Sequence, residues 1–283
     1  MNIALIVNFD KPNSADTAER IIAILCKEGI SVYMLSENKV KFSHRDVTYL
    51  QSYEELFSVA DAAVTVGGDG TIIHSARYAA KMSKPILGVN MGRIGYVAEL
   101  EPSEISMLKE LANGNFSIMN RMLLGVEVLH ADGSAEEYIA VNDAVISRGA
   151  LSRMTELEVC AGSERILCYR ADGLLFSTPT GSTAYALSAG GPVIDPALSL
   201  IELTPVCPHS LTARTVLFTD DTVLEVKSRN GDTAYLTVDG QISVALDFSD
   251  KVKIFRSEYT LSMITMKEKN FYKLAGEKLK EGI

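Results

Sequence analysis

The sequence predicts an α/β domain followed by an all-β domain: an N-terminal Rossmann-like open parallel sheet, then a C-terminal antiparallel β-sandwich-type domain. Two observations carry this. Over residues 1–100, short apolar runs suited to buried strands alternate with stretches of helical period, the pattern that builds a parallel sheet covered by helices. Beyond residue 101, short β-branched or aromatic runs follow one another instead, separated by Asp-Gly, Asn-Gly and Gly-Ser turns.

In order, Ile3 to Val7 is a continuous apolar run fit for a central strand. A helix follows, with Asp16 and Glu19 at capping-box spacing, Ala18, Ile21, Ile22, Leu25 and Cys26 along one face, and Gly29 as its stop. Ser31 to Leu35 reads as the second strand, Ala62 to Val66 as the third, Ile72 to Ala80 as a helix, and Ile86 to Val89, after Pro85, as a fourth strand. A helix from Ser103 to Ala112, closed by Gly114, leads into the β-rich part. The strands expected there are Leu123 to Leu129, Glu137 to Ile146, Glu156 to Cys160, Arg165 to Tyr169, Thr222 to Val226, Ala234 to Val238, Val252 to Phe255 and Thr260 to Thr265. One helical stretch, Thr183 to Ala189, interrupts them. The expected boundaries are therefore 1–100 for the Rossmann-like domain and 101–265 for the β-rich domain. A segment 266–283, amphipathic from Asn270 to Leu279, is expected to pack back on the first domain.

Composition narrows the partners. Of 283 residues 47% are hydrophobic and 22% charged, enough for a sizeable core. The net charge of -9 argues against a nucleic-acid surface, which needs clustered Lys and Arg; a small anion would have to be held by backbone N–H groups, a metal ion or a local basic pocket. The first residues read as a strand rather than a leader, and charged residues interrupt every apolar run short of a bilayer span, so a cytoplasmic location without membrane contact is expected. Cys26, Cys160, Cys168 and Cys207 are scattered in apolar settings without a Cys-x-x-Cys pair, which suits buried thiols.

Three stretches carry chemistry. Gly67-Gly68-Asp69-Gly70-Thr71 stands between an apolar strand and a helix. There, glycines let the backbone approach a phosphate and a helix N-terminus supplies N–H groups and a positive dipole end. Asp69 would repel a bare phosphate, so it suits holding Mg²⁺ or accepting a proton from an attacking hydroxyl; the plainer alternative is a tight turn with Asp69 as helix cap. Neither a Walker loop nor a dinucleotide Gly-x-Gly-x-x-Gly is present. The second stretch, Ala171 to Ser188, runs from a strand through a hydroxyl-rich loop into a helix. Its Ser and Thr side chains can meet ribose and phosphate oxygens and Tyr185 can face a base, or else one hydroxyl only caps the helix and Tyr185 is core. The third sets Asn142 and Asp143 side by side in an apolar strand, either to read a base edge and ribose hydroxyls or as a bulge or turn at the strand's end.

Together and in this order, the three stretches resemble the NAD kinase family, whose motifs run Gly-Gly-Asp-Gly-Thr, Asn followed by an acidic residue, and Asp-Gly-x-x-x-Ser-Thr-Pro-Thr-Gly-Ser-Thr-Ala-Tyr. The likeness covers nearly the whole chain. Asn90 to Tyr96 is similar to the family's Asn-x-Gly-x-Leu-Gly-Phe, Pro208 to Leu211 to its Pro-His-Ser-Leu, and Asp239-Gly240-Gln241 to its Asp-Gly-Gln. Gly-Gly-Asp-Gly alone is shared with diacylglycerol-type lipid kinases and phosphofructokinases, but the Gly-Thr-Gly-Asn-Asp of the lipid kinases is missing here.

The resemblance implies a transferase that moves the terminal phosphoryl group of ATP onto the adenosine ribose 2'-hydroxyl of NAD, giving NADP. It implies Asp69 as proton acceptor, with Gly68, Gly70 and Thr71 against the nucleotide. Asn142 and Asp143 would hold the adenosine of NAD, and Arg170 and Asp172 would make further dinucleotide contacts. Thr183, Ala184, Tyr185, Ala186, Leu187 and Ser188 would wrap the ligand, Gln241 would add a contact, and His74 and Arg153 match basic positions that approach the nucleotide. The family also implies Mg²⁺ or another divalent cation, a homodimer or homotetramer, and in some members polyphosphate as donor. Two departures stand out: Asp143 where many members carry Glu, and Tyr96 for the usual Phe.

Overall fold

A strand without a polar side must be covered on both faces, and β1 (Asn2–Val7) is such a strand, buried from Ile3 to Val7. The computed structural model describes residues 1–92, 95–149, 154–229, 234–267, 271–273, 275 and 276. After β1 come α1 (Ser14–Lys27), β2 (Ser31–Leu35), β3 (Val47–Leu50), α2 (Tyr53–Val59), β4 (Ala62–Gly67), α3 (Asp69–Lys81) and β5 (Ile86–Asn90). These strands pair in parallel in the order β3-β2-β1-β4-β5. The chain builds outward from β1 on one side and then returns to place β4 on the other, so the direction of winding reverses between β1 and β4.

α1 ends as its glycine predicts: Gly29 has φ 72°, its N–H donates to Cys26 O at 3.0 Å, and Ile30 N–H donates to Leu25 O at 3.0 Å. Its start differs. The helix begins at Ser14 behind Asn13 (φ 61°), with no side-chain cap, so Asp16 sits in the first turn facing the helix dipole rather than capping. α3 begins at Asp69, three residues ahead of its apolar pattern. The helix expected over Ser103 to Ala112 is a 3-10 turn, Ile105–Lys109, running into α4 (Glu110–Asn113), and Gly114 closes it with φ 68°.

The β-rich part comprises β6 (Ser117–Leu129), β7 (Ala135–Ala140), β8 (Asp143–Arg148), β9 (Thr155–Ala161), β10 (Glu164–Ala171), β11 (Gly173–Ser177), the one-turn α5 (Tyr185–Ser188), β12 (Leu200–Val206), β13 (Val216–Thr219), β14 (Leu224–Ser228), β15 (Ala234–Val238), β16 (Ile242–Leu246) and β17 (Lys251–Thr265). One antiparallel sheet runs β13-β12-β11-β8-β15-β16. A second layer contains β10-β9-β14-β17, with β6 pairing β17 and β7. Leu124, Val126, Leu157, Val159, Val226 and Ile254 from this layer meet Ile146, Leu174, Phe176, Leu203 and Leu236 from the other in one core.

Three expected strands are otherwise than read. Glu137 to Ile146 is broken at Val141-Asn142 into β7 and β8, which belong to different layers. Val252 to Phe255 and Thr260 to Thr265 are parts of one strand, β17, whose charged residues fall on positions facing out. The thiols also divide: Cys160 is buried and Cys26 half-buried, whereas Cys168, on the edge strand β10, and Cys207, in the loop after β12 with φ 47°, are exposed.

By internal contacts the chain forms two units, Met1–Arg121 together with the residues from Tyr259 onward, and Met122–Glu258. Among the described residues no helix is long and apolar enough to cross a membrane. Of the amphipathic stretch Asn270 to Leu279, only 271–273, 275 and 276 lie within the described residues.

Candidate functional site

In the first unit the site grows from the end of β4, beside the point where the winding reverses, which is where open parallel sheets bind ligands. Gly67 must be glycine: a Cβ there would sit 2.3 Å from Thr71 Oγ1. Gly68 is the N-cap of α3, in extended backbone and without a side-chain cap bond, so Asp69 does not cap its own helix. Its half-exposed carboxylate is oriented from elsewhere: Oδ2 accepts from Tyr96 N–H at 2.9 Å and Oδ1 from Val97 N–H at 3.4 Å. Gly95 makes the approach possible, since a Cβ there would lie 2.2 Å from Asp69 Oδ1. The loop is braced by Met91 N–H to Gly67 O at 2.8 Å and by Asn8 Nδ2 to Thr71 Oγ1 at 3.5 Å. Gly68, Asp69, Gly70 and Thr71 are thus brought together at the N-terminus of α3, where backbone N–H groups and the helix dipole favour an anion. His74 is elsewhere on α3, its ring 5.5 Å from Tyr53 and 5.9 Å from Tyr78, which stack on each other at 4.4 Å.

In the second unit Asn142, Asp143, the hydroxyl-rich loop and Gln241 gather at one end of the six-stranded sheet, where β8 starts and β11 and β15 end. Asp239 organises them. Its carboxylate collects the N–H groups of Val141 at 3.0 Å, Asn142 at 2.7 Å and Asp143 at 3.2 Å. These donors are thereby diverted, which is why the strand breaks here. Asp239 (φ 51°) and Gly240 (φ 65°) form the turn that Gln241 closes through its N–H to Val238 O at 3.0 Å. The Asp143 carboxyl is buried, and burial followed by the neighbouring Asp239 charge pushes it up to about 7.

The hydroxyls of the loop are spent largely on its own construction. Thr178 Oγ1 donates to Val141 O at 2.7 Å and accepts from Gly181 N–H, Ser177 Oγ donates to Asn142 O at 3.1 Å, and Ser182 Oγ donates to Pro179 O at 2.8 Å. Gly181 passes so close that a Cβ would sit 2.1 Å from Asn142 O. What the loop presents is therefore Thr183, Ala184 and the short α5, where Ala186 is buried against Val145 and Leu175 while Ser188 and Tyr185 face outward. Tyr185 is 46% exposed, so it is not a core residue.

Asp172 falls at the opposite end of the same strands, where Gly173 pairs with Ser147 while Ser177 pairs with Asp143, and Arg170 lies near the end of β10 in the other layer. Arg170 is exposed, and Asp172 Oδ1 accepts from Arg148 Nε at 2.7 Å. Arg153 lies outside the described residues, as do Arg93 and Ile94 of the Asn90 to Tyr96 stretch. Sequence reasoning gave no role to Asp239, Arg148 or Gly95, although Asp239 and Gly95 stand in the Asp239-Gly240-Gln241 and Asn90 to Tyr96 stretches that resemble family motifs, and Asp239 also opens an Asp-Gly turn between two strand patterns.

Comparison with known proteins bears on both units. Residues 3–116 match the model of the ATP-NAD kinase N-terminal domain and residues 141–266 that of the ATP-NAD kinase C-terminal domain. The NAD kinase of Natranaerobius thermophilus is 35% identical over 283 residues, covering 99% of this chain and 98% of that one. The NAD kinase of an Azoarcus species is 36% identical over 273 residues, covering 95% and 93%. In fold the chain is similar to a crystal structure of yeast NADH kinase complexed with NADH (TM-score 0.87, 24% identity, 96% of this chain and 85% of that one). It is also similar to that of an NAD kinase from Archaeoglobus fulgidus in complex with ATP (TM-score 0.76, 24% identity, 99% of each chain).

Proposed function

The chain belongs to the NAD kinase family, and on that premise we propose that it moves the terminal phosphoryl group of ATP onto the adenosine ribose 2'-hydroxyl of NAD to give NADP. The observation that carries the mechanism is the Asp69 carboxylate, half-exposed at the N-terminus of α3 and held there by the N–H groups of Tyr96 and Val97. Phosphoryl transfer leaves the protein little covalent work, so orientation and charge stabilisation dominate. Asp69 takes the proton of the 2'-hydroxyl as that oxygen bonds to the terminal phosphorus, and ADP leaves with the electron pair of the broken P–O bond. Gly68, Gly70 and Thr71 offer the phosphates a glycine backbone and a helix N-terminus, supported by the position of α3 beside the reversal of winding.

Asn142 and Asp143 hold the adenosine, with Thr183 to Ser188 and Gln241 around the dinucleotide; their gathering at one end of the sheet supports this. Arg170, Asp172, His74 and Arg153 rest on the family resemblance alone. The family resemblance supports Mg²⁺ or another divalent cation, which would come in on the phosphates of ATP and neutralise their charge, with the Asp69 carboxylate at hand. The family resemblance also supports a homodimer or homotetramer in the cytoplasm, and the net charge of -9 supports small-molecule partners rather than nucleic acid.

Asp69→Asn keeps the shape and the backbone bonds but cannot accept the proton. Turnover, read as NADP formed from NAD and ATP, is expected to fall on the order of 10²- to 10⁴-fold while calorimetry shows NAD still bound. Turnover within about tenfold of the parent chain would refute the role.

A further inference from the structure

Glu202, on β12, is a buried carboxyl that no motif points to and no step of the proposed reaction uses; its side chain is 0% exposed. Oε1 accepts from Thr204 Oγ1 at 2.8 Å, Thr204 Oγ1 lies 2.9 Å from Thr215 Oγ1, and Oε2 has no partner among the described residues. Glu202 stands opposite Ser177 on β11, which stands opposite Asp143 on β8. Residues directly paired across strands share a face, so Glu202, Ser177 and Asp143 form a row. It lies on the face of the sheet where Ala186 of α5 packs on Val145 and Leu175.

The carboxyl meets the chain just beyond α5. Gly190 turns with φ 93°, and Gly191 passes so close that a Cβ there would sit 2.0 Å from Glu202 Oε1 and 3.0 Å from both Ala186 O and Thr204 Oγ1. Gly191 N–H donates to Ala186 O at 2.9 Å, and three residues on, Ile194 N–H donates to Ser182 Oγ at 3.0 Å. A single helical turn has no stability of its own. Tyr185–Ser188 is therefore placed by what grips its ends, the hydroxyl-rich loop before it and the Gly190-Gly191 turn seated on Glu202 after it.

We propose that Glu202 is a positioning residue for the dinucleotide: as a neutral carboxylic acid it seats the Gly190-Gly191 turn and so holds Tyr185–Ser188 ready for NAD, and on ionising it withdraws that seat. This rests on the reading that Tyr185–Ser188 contacts NAD. An ionised carboxylate with one hydroxyl donor and no second partner is far costlier to bury than the acid, and burial accordingly pushes the Glu202 carboxyl up to about 7. Ala186 on α5, Gly191 just beyond it, Ser177 on β11, Thr204 on its own strand, Leu217 opposite it on β13 and Thr215 face it without charge. The other ionisable side chain of the row is Asp143, beyond Ser177, also pushed up to about 7.

The test is the KM for NAD and for ATP of the full chain, from about pH 6 to about pH 8.5, in the parent and in Glu202→Gln, which keeps the shape and cannot ionise. The ratio of parent to variant KM for NAD is expected to rise at least roughly fivefold over the alkaline half of the range, with the ratio for ATP unchanged. Taking the ratio cancels the titration of Asp143, which both proteins carry. A second variant, Gly191→Ala, puts a methyl where the carboxyl sits; it is expected to raise the KM for NAD about tenfold at about pH 6.5, and Glu202→Ser in the same chain to recover part of that loss. A ratio for NAD flat within about twofold overturns the proposal; so does an unchanged KM for NAD in Gly191→Ala, should the glutamine variant fail to fold. If the parent chain makes no NADP, the kinase assignment falls instead, and the same ratio taken from calorimetric NAD affinities still decides on Glu202.

Discussion

Asp69 is positioned by residues 27 and 28 places further along the chain, through Tyr96 and Val97 N–H, and this makes Gly95 as consequential as the carboxylate itself. A methyl at position 95 would meet Asp69 Oδ1 at 2.2 Å, and that atom is the far end of a flexible side chain, so the carboxylate moves rather than the fold. Gly95→Ala is therefore expected to leave the melting temperature nearly unchanged while kcat falls by roughly tenfold to a hundredfold, the loss that a displacement of about 1 Å brings. Equal losses in stability and turnover would count against it. Asp143 makes a different prediction. Its carboxyl, pushed up to about 7, is neutral below that pH and ionised above it, and only the ionised form accepts from two ribose hydroxyls. The KM for NAD is thus expected to fall as pH rises through about 7, and in Asp143→Asn this dependence disappears. Measuring both in the Glu202→Gln background removes the opposing titration of Glu202. Asp69, Asn142 and Asp143 were legible because each stands in a short motif whose chemistry is local; Gly95 also stands in a motif, but its role, like that of Glu202, is a contact made only on folding.

Among the elements, legibility followed local signal. Ser31–Leu35 and Ala234–Val238 match their apolar patterns residue for residue. α2 was missed although Ser52 accepts from Glu55 N–H at 3.2 Å and the Glu55 carboxylate accepts from Gln51 N–H at 2.9 Å, a Ser-x-x-Glu capping arrangement written plainly in the sequence. The break between β7 and β8 had no such sign, because the group that causes it, the Asp239 carboxylate, is about a hundred residues away, with |i−j| of 96 to 98 to its three donors. Removing that carboxylate in Asp239→Ala strands three partly buried N–H groups and is expected to cost about 2–4 kcal/mol in urea unfolding, at about 1–3 kcal/mol for each donor that water does not satisfy. Asp239→Asn keeps a residue that tolerates φ 51° and one carbonyl acceptor, so it is expected to cost less than half as much. Equal losses in the two variants would show that the three bonds are not what holds the break.

At the scale of the whole molecule, the unit that carries Asp69 is not contiguous in sequence: it needs the residues from Tyr259 onward, which the chain supplies only after building the β-rich unit. Within β17, Met263 pairs in parallel with Ile86 on β5 and Leu261, Met263 and Ile264 are buried; just beyond it, Met266 and Lys267 N–H donate to Glu99 Oε1 at 2.8 and 3.1 Å. Reading β17 as two separate strands concealed this, since nothing in the alternation of a strand says which neighbour its far half will find. Burying three such side chains stabilises by about 1.5–3 kcal/mol each, roughly 5–9 kcal/mol together, which is comparable to the whole stability of an ordinary domain. Without them Ile86 on β5 would also lose its partner Met263, while Gly88 and Asn90 keep their bonds to Glu99 and Leu100. A fragment of residues 1–121 is thus expected to be unfolded or aggregated by circular dichroism and gel filtration. The same fragment with residues 259–267 appended through a Gly/Ser linker is expected to be monomeric and to melt cooperatively. If the short fragment alone melted as sharply as the extended one, the returning strand would be an ornament of that unit rather than part of its core.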